Sequence, residues 1–442
     1  MHGGLTIAWC SSMTAHILSV AAATAIPLLL AASATTHASS DTSATSRPQP
    51  LPRPGPLSQP RSHGQVGAPV LPAQDAIPPD NPQTPEKIAL GQRLFFDGRL
   101  SADGTVACAI CHDPTRAFTD GRAVSIGIRG RVGQRNSPTI LNALYDPTQF
   151  WDGRATTLEQ QAAMPIINPV EMGEPMLDAA VTAVAVDAGY RDAFQRVFGR
   201  PLNGADLVRA IASYERTQMA FDSPFDHFIA GDANAIGDDA KRGWQLFNTR
   251  ARCNLCHART DSAPDPTHFT DDDFHNIGIG IIRHNVLALA RQAQKLVASR
   301  DPNSVDRAAI QTDMSALGRF LVTKKPTEVA AFKTPSIRNV LVTAPYFHDG
   351  SQETLWDVVD HYNKGAGLAD PWLDQDIQPL ALSESDIDDV VAFMASLTSA
   401  EYAALGRKEF TRQRALAESS RPQRDTLRAF GPRPARPVPT SP

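Results

Sequence analysis

Two short stretches carry chemistry that the rest of the chain must position: CAICH at residues 108–112 and CNLCH at 253–257. Each sets two thiols three residues apart with an imidazole directly behind the second. On a helical turn, positions i, i+3 and i+4 share a face, so Cys108, Cys111 and His112 address one object, as do Cys253, Cys256 and His257. Three objects compete. A disulfide across so short a loop is sterically poor, and pairing across the two copies leaves both histidines unexplained. Two C-x-x-C pairs can build a tetrahedral zinc site, but zinc does not ask for a histidine after the second cysteine, twice. A c-type haem does: both thiols form thioethers with the porphyrin vinyls and the histidine sits beneath the iron. The pattern is read as two covalent haems. The fifth cysteine, Cys10, precedes the apolar run at 17–32 and belongs to a segment expected to be removed.

That run, ILSVAAATAIPLLLAA, has signal-peptide length, and small residues allow cleavage after Ala38, although no Lys or Arg precedes it. The expected organisation is a signal peptide over 1–38, a Ser/Thr/Pro-rich disordered linker over 39–84, two haem domains over 85–235 and 236–400, and an Arg/Pro-rich solvated tail over 401–442. Export places the mature protein in the periplasm. The formal net charge of −5 over 442 residues gives no polyanion-binding signature, so nucleic acid is not an expected partner.

The two haem motifs are preceded by an echo, G-x-x-L-F, at Gly91, Leu94 and Phe95 and again at Gly243, Leu246 and Phe247. Each copy reads as a helix leading through a loop into a haem-attachment turn. Strand-like alternation is scarce. The fold class is therefore mainly α, with two cytochrome c-like domains each wrapped around one haem. In the last clear helix Ser383 caps, and Ile387, Val390, Val391 and Met394 fall at i, i+3, i+4 and i+7, which makes Met394 a core residue rather than a ligand.

Whether such a protein is an enzyme depends on an open iron position. No His or Met occurs between Asp113 and Phe150, the stretch that would cross the far face of the first haem. Further on, FWDGRATTLEQQAAMPIINPVEMG contains Trp151, Gln161 and Glu171. Taken singly these read as a buried aromatic, an exposed helix residue and a surface carboxylate. Alternatively, one carboxylate can move a proton from the inner to the outer oxygen of peroxide as the O–O bond breaks, and Glu171 is placed to do so.

Several segments in order, LFFDGRLSADGTVACAICH, RNSPTILNA, FWDGRATTLEQQAAMPIINPVEMG, CNLCH and FKTPSIRNVLVTAPYFHDG, resemble the bacterial di-haem cytochrome c peroxidase and MauG family over Pro85 to Ser399. The resemblance implies a peroxide-using oxidoreductase. It gives Trp151 the role of electron relay between the haems, Glu171 that of acid and base, and Gln161 and Pro165 positions in the peroxide pocket. It also implies a calcium ion at Asn136, Thr343 and Pro345. The position of the family's displaceable histidine falls near Ile128 and holds no histidine, so the first site is expected to be open without reductive activation. The family's second-haem methionine is replaced by Tyr362, whose helical spacing with Leu355, Val358 and Val359 equally suits a core tyrosine; MauG-type members use a tyrosine as ligand there. Implied partners are hydrogen peroxide and a small cytochrome c or cupredoxin donor, or a protein substrate, with a homodimer admitted. The competing reading is a non-enzymatic di-haem electron carrier.

Overall fold

A computed structural model describes residues 77–257, 268–280, 288–289, 291, 313–367 and 372–428. The first half contains α1 (Pro85–Phe95), the one-turn α2 (Cys108–Cys111), α3 (Leu158–Ile167), α4 (Leu177–Ala185), α5 (Ala188–Phe198) and α6 (Gly204–Glu215). The second contains α7 (Pro224–Ile229), α8 (Asp238–Phe247), α9 (Phe320–Thr323), α10 (Leu355–Asn363), α11 (Glu384–Ser396) and α12 (Ala403–Arg428). The expected mainly helical class is what is found. The sheet structure among the described residues is one antiparallel pair, β1 (Phe274–His275) and β2 (Phe332–Lys333), with Phe274 opposite Lys333. No helix among the described residues is long and apolar enough to cross a membrane. The apolar run at 17–32 lies outside them.

The G-x-x-L-F echo marks one helix crossing used twice. α1 starts on Thr84, whose hydroxyl accepts from the Lys87 N–H, and has Pro85 where no backbone donor is needed. Its Gly91 faces α6 so closely that an added Cβ would lie 1.8 Å from the Ala210 carbonyl oxygen. In the second half Gly243 of α8 meets α11 identically, 1.8 Å from the Asp389 carbonyl oxygen. The next contact matches too: Tyr214 in one crossing, Phe393 in the other. Phe95 packs tilted against Tyr214 with ring centroids 5.1 Å apart, and Phe247 packs edge-on against Phe393 at 5.0 Å. Around the first pair Leu94, Leu100 and Ile211 are buried; around the second, Phe225, Phe269, Leu355 and Val390. Each such side chain contributes about 1.5–3 kcal/mol.

Polar contacts join the halves. Lys333 and His268 both reach Asp146, at 2.7 and 2.9 Å. Within the second half, Arg338 grips Asp226 through two bonds of 2.8 and 3.0 Å, both side chains buried, and Asp226 also closes the capping box of α7 with Ser223.

Two expectations about the ends need correction. Disorder does not extend to residue 84: Asn81 is fully buried, donating to Glu159 Oε1 and the Arg209 carbonyl, while Lys87 donates to its side-chain oxygen. Nor is the stretch from Arg407 a solvated tail over 407–421. It continues α12, whose outer face carries Arg412–Glu409 and Arg414–Glu418 pairs, while Phe410, Gln413 and Ala417 face the second core. The residues beyond 428 lie outside the described ones.

Candidate active site

Each C-x-x-C-H motif forms a single turn that opens into a cavity. His112 caps α2, its N–H bonded to the Cys108 carbonyl, and its Nδ1 lies 3.1 Å from the Phe118 carbonyl oxygen. His257 repeats this: its N–H bonds the Cys253 carbonyl, and its Nδ1 lies 3.1 Å from the Phe269 carbonyl. Both phenylalanines that present those carbonyls sit in the left-handed region, φ 60° and 58°, an unusual and strained conformation for a bulky residue. A carbonyl accepts only, so Nδ1 carries the proton and Nε2 keeps its lone pair for a metal, the usual outer contact of a metal-bound histidine. Burial lowers the proton affinity of both rings, which keeps them neutral.

The four thiols are free. Burial pushes Cys111 and Cys253 up to about 12 and raises Cys108 as well, which keeps these three thiols neutral in the absence of a metal. They also line two separate cavities, which rules out one shared tetrahedral site. Cys256, Asp271 and His275 cluster tightly enough to suggest a metal. Both ring nitrogens of His275, however, are taken by carboxylates, Asp374 at 2.6 Å and Asp271 at 3.0 Å, leaving no lone pair. The donors in each cavity, two free thiols and one imidazole whose Nδ1 is already bonded to a carbonyl, fit a haem.

The first cavity, with about 1250 Å³ of empty volume, is roofed by one face of α3: Leu158, Gln161, Ala162 and Pro165, at i, i+3, i+4 and i+7. Thr157 fixes the start of α3 by accepting from the Gln160 N–H. After Ile167 the helix stops and turns back, with the Glu171 and Gly173 N–H groups on the Asn168 carbonyl and the Met172 N–H on the Pro165 carbonyl. From the far side the Ile128 N–H donates to the Glu171 carbonyl at 2.7 Å. A Cβ on Gly127 would meet the Val170 and Glu171 carbonyl oxygens at 2.1 and 2.6 Å, so only glycine permits this clamp. Glu171 and Gln161 thus reach the same cavity from a fixed turn and a helix face. His112 is the one imidazole among the described residues lining it. Ile128, at the position where a histidine was sought, is buried in the core.

The second cavity, about 1510 Å³, is walled by α10 and α11 with the 332–348 segment. Besides Tyr362, three groups in or near it carry possible donor atoms. Tyr346 donates to Gln413 Oε1 at 3.1 Å, His361 Nε2 contacts the Ile277 carbonyl at 2.8 Å, and His348 stacks on Phe332 at 3.6 Å. Tyr362 lines the cavity and makes ring contacts with Phe347 and His361. Met394 is buried in the core, as expected, and its side chain also lines this wall.

Trp151 and Asn136 belong to both cavities. The Trp151 N–H donates to the Asn136 carbonyl at 3.0 Å, the Asn136 N–H donates to the His348 carbonyl at 2.8 Å, and the Lys333 N–H donates to the Trp151 carbonyl. Next to them Asp152 is fully buried; burial raises its proton affinity, but Arg135 and Arg154 more than offset this and hold the carboxyl at about 2. Asn136, Thr343 and Pro345 come together along the second cavity. The Asn136 amide donates to the Arg122 carbonyl and the Thr343 hydroxyl to the Val340 carbonyl.

Three residues near the sites had no part in the sequence reading. Met172 and Glu215 line the first cavity, and Gln413 of α12 braces Tyr346 behind the second. For Glu215 a signal existed: it stands four residues after Ile211, on the apolar face of α6.

A family model described as di-haem cytochrome c peroxidase matches residues 85–234. The chain is 38% identical over 330 residues to the methylamine utilization protein MauG of Methylorubrum extorquens, a match covering 74% of this chain and 82% of that one. It is 34% identical over 332 residues to cytochrome c peroxidase Ccp of Escherichia coli K12, covering 74% and 61% respectively. Among solved structures, a MauG-like protein associated with microbial copper homeostasis matches with a TM-score of 0.60 at 32% identity, covering 73% of this chain and 92% of that one. The diheme peroxidase BthA of Burkholderia thailandensis matches with a TM-score of 0.57 at 26% identity, covering 73% and 88%. With a relative 38% identical over 82% of its length, the chain belongs to the di-haem cytochrome c peroxidase and MauG family.

Proposed function

We propose that the protein is a periplasmic di-haem peroxidase that reduces hydrogen peroxide in the first cavity, while the second haem supplies electrons or stores oxidising equivalents in the manner of MauG. The observation that carries this reading is the first cavity itself. Among the described residues one imidazole, that of His112, lines it, and Glu171 and Gln161 line the same cavity.

Haem, when held there by Cys108, Cys111 and His112 and in the second cavity by Cys253, Cys256 and His257, supplies a redox-active iron. The protein's share is positional and protic. Glu171 takes a proton from one peroxide oxygen and returns it to the other, and the Gln161 amide orients the same molecule. Trp151, in the wall of both cavities, passes charge between them. Tyr362 would hold the iron of a haem in the second cavity as an anionic oxygen donor, which would disfavour a high potential. The overall reaction is H2O2 + 2e⁻ + 2H⁺ → 2H2O. The electrons come from a small cytochrome c or cupredoxin, or from a protein substrate oxidised in place of one. Calcium bound at Asn136, Thr343 and Pro345 would stabilise the segment between the cavities. Export through the run at 17–32 supplies the compartment in which thioethers form, and a homodimer is consistent with this reading.

The test is the EPR and optical spectrum of the ferric protein before and after one equivalent of peroxide, without donor. One high-spin and one low-spin haem, both altered by peroxide, are expected. Two low-spin haems indifferent to peroxide would establish the electron-carrier reading instead.

A further inference from the structure

The helix crossing used twice supplies an internal control. Ala210 and Tyr214 of α6 correspond to Asp389 and Phe393 of α11, because each pair meets the glycine of its partner helix in the same way. One residue further, Glu215 therefore corresponds to Met394, as Ile211 does to Val390, and all four line their respective cavities. The fold accepts an apolar side chain at this position in the second half and carries a carboxyl in the first.

Glu215 is 5% exposed, and its Oε2 has no hydrogen-bond partner. The charged and titratable groups facing it are Arg216 and Glu159, with Cys108 on α2. Arg216 does not neutralise it: that guanidinium is committed to Glu159, with contacts of 2.7 and 2.8 Å, and Glu159 is further held by Asn81. A packing role would be better served by a methionine, and an ion-pair role is absent. What remains is a proton on a carboxyl that opens onto the cavity where reduction takes place. Burial raises its proton affinity to about 8 without haem; the positive charge of a ferric iron in the cavity would lower it toward neutral pH, and an added electron would raise it again.

We propose that Glu215 is a proton-carrying group of the first cavity: its carboxylate takes up a proton when an electron enters the first haem and passes that proton to the oxygen being reduced. Two such cycles, with two electrons from a one-electron protein donor and two protons drawn from water, convert one H2O2 to two H2O. The handover to oxygen rests on the peroxidase reading above; the uptake of a proton on reduction does not.

The experiment is reduced-minus-oxidised infrared difference spectroscopy on the haem-loaded full chain, poised chemically without peroxide, together with the first haem's potential against pH. In the wild type a protonated-carboxyl band grows on reduction, and the potential falls with pH near neutrality with a slope approaching one proton per electron. Both features disappear in E215Q and in E215M, the latter placing the residue of the equivalent position. Turnover of peroxide with reduced cytochrome c falls about tenfold or more in E215Q. A band and a slope that E215Q leaves unchanged overturn the proposal whatever peroxide does. A wild type that shows the band yet ignores peroxide overturns the peroxidase reading and the handover with it, while upholding uptake.

Discussion

The Trp151 indole N–H donates to the Asn136 carbonyl at 3.0 Å, and these two residues form the partition shared by both cavities. The ring is therefore fixed in orientation and not merely buried. Trp151→Phe keeps most of the packing but leaves the carbonyl without its donor, which costs about 1–3 kcal/mol. Both haems should still attach. Peroxide added to the ferric variant should then alter the first haem's spectrum without the accompanying change at the second, as read by EPR.

Glu171 owes its position to backbone bonds on both sides, from Ile128 and to Asn168, so a change at its side chain should not move the turn. Glu171→Gln is expected to slow the reaction with peroxide by about 10²–10⁴-fold while the absorption of both ferric haems stays as it was. Stopped-flow spectroscopy with excess peroxide measures it, and an unchanged rate would remove Glu171 from the mechanism.

Gly91 and Gly243 are the same structural feature in two places, and neither has room for a methyl group: the nearest carbonyl oxygen would be 1.8 Å away in both. Gly91→Ala and Gly243→Ala must therefore push two helices apart, with a loss of about 3 kcal/mol or more. Thermal denaturation should show that loss. The haem-to-protein ratio should fall because the cavity behind the displaced helix no longer closes.

The haem motifs and the echoed glycines were legible because they are local: spacing on one turn and a repeat in the chain determine them. Residues whose meaning lies in distant partners were not. Asn81 looks like linker until Glu159 and Arg209 are beside it. Arg412, Arg414 and Arg421 made α12 look like a solvated tail, yet the face opposite carries Gln413, which accepts from Tyr346 and the Leu355 N–H and donates to the Leu341 carbonyl. Glu215, next to Arg216, reads in sequence as an exposed charge pair, but adjacent residues on a helix point apart, and Arg216 turns to α3 while Glu215 turns to the cavity. The roles carried over for Gln161 and Glu171 came from resemblance, and their lining of one cavity needed the turn after Ile167.

Asp152, between Arg135 and Arg154, has its carboxyl held at about 2 in the folded protein against about 3.9 in an unfolded chain. A depressed carboxyl stabilises above the unfolded value, and that contribution is lost as pH falls through the folded one. Asp152→Asn leaves two buried guanidinium groups short of their counter-charge, which costs about 3–5 kcal/mol at neutral pH. The gap in melting temperature between wild type and variant should be constant above about pH 4 and narrow progressively toward about pH 2. A gap that does not depend on pH would mean that Asp152 acts by packing alone.

Tyr346 and Tyr362 both line the second cavity, but they differ in what their hydroxyls do. That of Tyr346 is spent on Gln413, inside a wall that α12 closes from behind. Tyr362 projects from α10 four residues past Val358, another cavity-lining residue, and burial there keeps its phenol protonated in the absence of a metal. An iron opposite His257 would reverse that preference by stabilising the phenolate. Tyr362→Phe should therefore shift the low-spin EPR signal and raise the potential of the second haem while sparing the melting temperature. Tyr346→Phe should do the opposite, lowering stability by about 1 kcal/mol through the lost bond to Gln413 and leaving the second haem's signal in place. If the low-spin signal followed Tyr346 instead, the ligand assignment would move to the 340s segment and α12 would become part of the haem site.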